Sequence, residues 1–150
     1  MKQRDAVSMT SDEIGALLAY ARKAQIATIN PDGTPHLVTM FFASAGGRIA
    51  FWTYRASQKA RNLARDPRLT CLVEDGEEYF ELRGVQIGGT VTVIEDLPGV
   101  TGIGRMIAGR MPDMPADALD AYVTHAARKR TAYLIDPIRI ASWDHRKLLA

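Results

Sequence analysis

Cysteine is nearly absent from this chain of 150 residues: Cys71 stands alone. A lone cysteine cannot close an internal disulfide, so the core must hold the fold, and a reducing compartment suits the chain. An excess of one charge is lacking as well. Lys and Arg total 19 against 17 Asp and Glu, a formal net charge of +2. That is too little to draw the chain onto nucleic acid by bulk attraction. No apolar run approaches the roughly 20 residues that cross a bilayer as a helix. The opening Met1-Lys2-Gln3-Arg4-Asp5 has no apolar stretch of the kind a secretory signal needs. A cytoplasmic protein without membrane or nucleic-acid partners is expected.

Catalytic signatures are missing too. His36, His125 and His145 fall on three different elements, none with a Cys or His at metal-ligand spacing, so no metal is expected. There is no nucleophile elbow and no paired catalytic carboxylate. Gly102-Ile103-Gly104 has neither a third glycine nor a Rossmann-type strand before it. No catalytic side chain is therefore assigned, and any chemistry must come from a bound cofactor.

What is present is a globular pattern, 47% apolar, read as one domain over 1–150. Thr10-Ser11-Asp12-Glu13 is a capping box that opens a helix over 11–23. Strands follow at 25–30, 35–42 and 48–53, joined by the turns Pro31-Asp32-Gly33 and Ala45-Gly46-Gly47. A helix at 57–65 ends before Pro67, and 69–74 is a fourth strand in which Cys71 is a small core residue. Tyr79 to Ile94 is too long for one regular strand, and bends are expected at Gly84 and Gly88-Gly89. Helices are expected at 97–111 and 116–130, the second ending in Arg128-Lys129-Arg130, where basic groups complement the helix dipole. Two last strands, 131–135 and 138–143, are separated by Asp136-Pro137. The sum is an α+β, mainly β chain, and a small closed barrel without exposed edges is the expected arrangement.

The most informative stretch is Phe51-Trp52-Thr53-Tyr54-Arg55-Ala56-Ser57-Gln58-Lys59-Ala60-Arg61-Asn62-Leu63. It passes from a strand into a helix with Ser57 at the N-cap and Lys59 and Arg61 in the first turn. Hydroxyls, cations and free helix N–H groups meet there, which is the chemistry that holds a phosphate. Arg61 reads as a solvated neighbour of that site.

This stretch, followed by Asp66-Pro67, resembles the phosphate-binding segment of the pyridoxamine 5′-phosphate oxidase-like flavoprotein superfamily. The hairpin Ile26-Ala27-Thr28-Ile29-Asn30, Asp32-Gly33 and Pro35-His36-Leu37-Val38 is similar to that family's opening strands. Gly84 to Thr92 and Ser142 to Leu148 look like its smaller bacterial members. The resemblance implies an FMN-binding type of split β-barrel with six to seven strands and peripheral helices. It also implies a homodimer with cofactor sites at the subunit interface.

Leu37, Val38, Thr39 and Met40 would then lie along the cofactor ring. Thr53, Ser57, Gln58 and Lys59 would surround the phosphate, with Arg55 a further anion contact. Asn62 would bond the ribityl chain or brace the loop. Where the true oxidases carry arginine and lysine on the second strand, this chain has Leu37-Val38-Thr39-Met40-Phe41. The Lys59-x-x-Asn62-Leu63 arrangement is similar to the branch that uses the deazaflavin coenzyme F-420. F-420 is the favoured cofactor and FMN the alternative. The implied function is hydride transfer between that cofactor and a small organic substrate. The competing readings are an FMN-dependent enzyme like pyridoxamine-phosphate oxidase, or a non-catalytic carrier of a flavin or tetrapyrrole.

Overall fold

The computed structural model describes residues 2–150. A short helix α1 (Gln3–Val7) precedes α2 (Ser11–Tyr20), whose capping box is complete: Thr10 caps Glu13 and Glu13 reaches back to Thr10. Then come β1 (Lys23–Ile29), β2 (Pro35–Phe41), β3 (Ala43–Ala45), β4 (Arg48–Tyr54), α3 (Gln58–Arg65) and β5 (Arg68–Asp75). A 3-10 turn at Tyr79–Glu81 leads to β6 (Arg83–Ile94), α4 (Leu97–Ala108), α5 (Ala116–Ala127) and β7 (Arg130–Asp144). A second 3-10 turn, His145–Leu148, ends the fold.

The seven strands form one antiparallel sheet in the order β2-β1-β5-β6-β7-β4-β3. Its two end strands are consecutive pieces of one stretch of chain, separated only by Phe42. The sheet therefore curls back on itself as a split barrel. The split follows from the register. Ala43 to Ala45 of β3 pair with Ala50 to Arg48 of β4. Carried three residues further, that register would set Thr53 against Met40. Instead β2 has swung across to β1, with Val38 opposite Ile26 and Met40 opposite Ala24. Among the described residues, both β2 and the second half of β4 are left with one edge free of strand partners. The expectation of a barrel without exposed edges is corrected in this respect.

Two cores result from the alternation of side chains across β4 and β7. Inside the barrel Ile26, Phe51, Cys71, Val73, Val85, Tyr133 and Ile135 pack with Leu17 of α2 and Leu63 of α3. Phe51 and Tyr133 stack at 5.0 Å. On the other face, Ala50, Trp52, Ala132 and Leu134 meet Val100, Ile103 and Ile107 of α4 and Val123 and Ala127 of α5. Gly104 lets α4 lie flat on the indole: a Cβ there would stand 2.3 Å from Cζ3 of Trp52. Gly104→Ala should therefore cost about 1–3 kcal/mol by overpacking, measurable as a lowered Tm with the far-UV spectrum unchanged.

The helix expected over 11–23 stops at Tyr20 because β1 begins at Lys23, the one over 97–111 stops at Ala108, and β3 was not expected. Three further differences follow from strand pairing. The stretch 131–143 is part of one strand, not two, because Pro137 sits at the register shift beside Gly88 and Gly89, beyond the reach of β4. Its missing N–H interrupts no ladder on that side. Tyr79–Glu81 turns before β6 begins, and Gly84 pairs regularly with Trp143 without bulging. The last helix stops at Ala127, since Arg130 already pairs with Tyr54. Arg130 still donates to the helix carbonyl of Ala126 at 3.1 Å, the dipole role expected of that basic run.

Candidate cofactor-binding site

β4 carries Thr53 inward, on the side of Phe51, and the chain then turns at Tyr54-Arg55-Ala56 into α3. Ser57 is the N-cap, accepting from the Ala60 N–H at 3.2 Å. The Thr53 hydroxyl donates to Ser57 Oγ at 3.3 Å, and Lys59 Nζ donates to Thr53 Oγ1 at 3.0 Å. Counting donors shows what this cluster lacks. Ser57 Oγ accepts twice and keeps its own proton to give. Lys59 has spent one of three N–H bonds. The backbone N–H groups of Gln58 and Lys59 have no acceptor among the described residues.

The electrostatics lead the same way. Burial holds the Lys59 ammonium below its ordinary pKa, because charge is disfavoured away from water. Among the described residues no carboxylate lies within ion-pair distance of it. Helix α3 contains no acidic residue. A half-buried cation, a free hydroxyl proton and the positive end of a helix face one place without an anion. These groups fit a phosphate.

The remaining residues expected at the site divide into two groups. The first lines the opposite lip of the split. Leu37 and Thr39 point to the outer face of the sheet, while Val38 and Met40 lie on the inner face and are half-buried. Of the four, Leu37 and Thr39 turn their backbone groups to the free edge of β2, while those of Val38 and Met40 face β1. Next to them His36, opposite Thr28, keeps a buried Nδ1 with no hydrogen-bond partner among the described residues.

The second group is engaged elsewhere. The Arg55 guanidinium donates to the Arg128 carbonyl at 2.7 Å, at the end of α5. Gln58 Nε2 donates to Asn62 Oδ1 at 2.9 Å. Asn62 is fully buried and braces α3 against β1, donating from Nδ2 to Thr28 Oγ1 and Asn30 Oδ1, each at 3.0 Å. Arg61 is exposed and donates to the Ala56 carbonyl at 2.8 Å.

Thr28 and Asn30 were not singled out from the sequence. The available signal was a hydroxyl at an inward position of β1, where alternation calls for an apolar residue. Cys71 is in the core, its thiol pushed up to about 12 by burial, so it is no nucleophile. No cluster of metal-ligating side chains occurs among the described residues. No helix among them is long and apolar enough to cross a membrane.

Comparison with solved structures places this architecture among split barrels. The conserved hypothetical protein Rv2991 of Mycobacterium tuberculosis is 38% identical, with a TM-score of 0.91 over 100% of this chain and 94% of its own. An F420 reductase is 24% identical, with a TM-score of 0.61 over 84% of this chain and 94% of its own. HutZ, the heme storage protein of Vibrio cholerae, is 12% identical, with a TM-score of 0.66 over 88% and 94%. The last two show the fold alone. No curated protein matches the chain. The family model for pyridoxamine 5′-phosphate oxidase matches residues 10–144, and the chain belongs to that family.

Proposed function

We propose that this protein is an oxidoreductase that binds deazaflavin coenzyme F-420, or alternatively FMN, in the split and transfers hydride between it and a small organic substrate. The observation that carries the reading is Lys59: a half-buried ammonium with no carboxylate partner among the described residues, beside two hydroxyls and a helix N-terminus. When bound, the cofactor supplies the hydride chemistry that no side chain here provides. Lys59 and Ser57 would hold its phosphate by charge-assisted hydrogen bonds, with Thr53 orienting both of them through its hydroxyl. The backbone N–H groups of Leu37 and Thr39 on the free edge of β2 would orient the ring and stabilise negative charge on it. Val38 and Met40 exclude water from the inner side. The preference for F-420 rests on the Lys59-x-x-Asn62-Leu63 arrangement and on the apolar residues of β2.

Titration of the purified protein with F-420 and with FMN, followed by visible absorbance and ring fluorescence, tests the proposal. Tight binding of neither overturns it. Binding without turnover across a broad panel of acceptors would make the protein a carrier, the reading that a heme storage protein of the same fold brings to mind.

We further propose that two copies pair through the outer face of β1, β2, β5 and β6. Leu37 is 68% exposed there and Phe41 47%, and Gln25, on the same face, has a buried Oε1 without a partner among the described residues. A groove of about 590 Å³ crosses this face between Ala27, Thr70, Gly88 and Arg139. Light scattering should return twice the 16.5 kDa mass of one chain, and Leu37→Glu should shift the species to one chain.

A further inference from the structure

The split exists because one stretch of chain changes partners at Phe42, and that residue is held from outside the sheet. Its N–H donates to the Arg22 carbonyl at 3.1 Å, and its ring is 1% exposed in the barrel core. Its carbonyl accepts from Arg110 Nη1 at 2.7 Å, and the guanidinium carbon stands 4.9 Å from the ring centroid. Arg110 lies just past α4, its own N–H bonded to the Ile107 carbonyl at 3.1 Å. From there Nη2 donates to the carbonyls of Leu18 at 3.0 Å and Ala19 at 3.2 Å, and to that of Ala21. One planar fork thus joins the end of α4, the end of α2 and the bend between β2 and β3. It makes no ion pair among the described residues. Its charge is balanced by four carbonyls, three of them at or just past the negative end of α2.

We propose that Arg110 is a positioning residue: by pinning the bend at Phe42 it sets the angle between the two lips of the split, and with it the distance from the phosphate clasp to the β2 edge. This rests on the cofactor reading above. The leverage is large. From Phe42 to Leu37 the strand runs five residues, about 17 Å at roughly 3.3 Å each. β2 is paired with β1 along that length, so the two swing as one ribbon, and about 10° moves the far lip by about 3 Å. A ligand held by its phosphate on one lip and by its ring on the other registers that movement. A misplacement of ~1 Å is already enough to cost about 100-fold in a positioned reaction. Lysine cannot replace the fork, because a point charge does not bond a strand carbonyl and a helix end at once in fixed geometry.

The test compares wild type, Arg110→Met, Arg110→Lys and Phe42→Leu by titration with F-420 and FMN. Visible circular dichroism of the bound ring is recorded at a temperature where each variant shows a native far-UV spectrum. Arg110→Met and Arg110→Lys should bind about tenfold or more weakly, with an altered ring dichroism. A purely structural role would lower Tm and leave both readouts at wild-type values in the folded protein, and that result overturns the proposal. If the Arg110 variants do not fold, Phe42→Leu decides by the same readouts, since it keeps an apolar side chain at the bend and removes only the ring under the guanidinium. Wild type that binds neither cofactor refutes the cofactor reading, and this inference falls with it. Wild type that binds, with variants that bind equally well, refutes the role of Arg110 alone.

Discussion

Lys59→Ala is expected to weaken binding of F-420 or FMN by about 100-fold. Hydrogen bonds from charged groups contribute about 1.5–3 kcal/mol, and the upper end applies where the donor is half-buried and has no competing carboxylate. Nearly 3 kcal/mol is about two decades in Kd. Riboflavin, which has the ring and ribityl chain without phosphate, should lose much less, and equal losses for the two ligands would show that Lys59 does not touch phosphate.

The pH dependence has a defined sign. Burial has lowered the Lys59 pKa in the free protein, while a bound phosphate favours the charged form and raises it again. Affinity should be full at neutral pH and fall as pH rises through the lowered value, and Lys59→Ala should lack that limb. Stability behaves oppositely. The folded pKa lies below the unfolded one, so the buried charge opposes folding at low and neutral pH, and stability recovers as pH rises toward the unfolded value. Lys59→Met should therefore hold or raise Tm while binding collapses, the pattern of a residue kept for its ligand.

The contrast between Lys59 and its neighbours also marks what is legible in the sequence. The capping box at Thr10, the N-cap at Ser57 and the turn at Pro31-Asp32-Gly33 are local devices, and their residues dictate them wherever they occur. Thr53, Ser57 and Lys59 come together because a strand end and a helix start are only a few residues apart. The division of labour within the same stretch was not legible. Arg55 and Lys59 look alike in sequence, yet Arg55 finds the Arg128 carbonyl 73 positions away. Asn62 looks like a polar residue on a ligand-facing helix until β1 brings Thr28 and Asn30 beneath it. The split itself depends on Phe42, an ordinary apolar residue whose neighbours come from α2 and the end of α4. Continuous pairing past Pro137 was hidden for a similar reason. Proline argues against a central strand, and only the sheet order reveals that β7 has no neighbour on that side there.

Asn62→Ala should have the inverse phenotype of Lys59→Met: a large loss of stability and a small loss of affinity in the protein that remains folded. The Asn62 amide is 0% exposed and its hydrogen-bonding capacity is filled. Nδ2 gives both protons, to Thr28 and Asn30, and Oδ1 accepts from Gln58 at 2.9 Å and from Arg65 at 3.5 Å. Truncation leaves the Thr28 hydroxyl, itself 1% exposed, without its donor and opens a void between α3 and β1. An unsatisfied buried group costs about 1–3 kcal/mol, and the void adds to it, for about 3–4 kcal/mol together. In a chain of this size each kcal/mol moves Tm by about 2–4 °C, so a fall of roughly 10 °C is expected. Asn62→Asp separates the lost donors from the lost volume. It keeps the shape but sets a carboxylate against Asn30 Oδ1, and burial raises the pKa of that new acid. Its destabilisation should shrink as pH falls, because the neutral acid regains one O–H donor for Thr28. A fall in affinity as deep as that of Lys59→Ala, in Asn62→Ala protein that is still folded, would mean that the amide meets the cofactor directly.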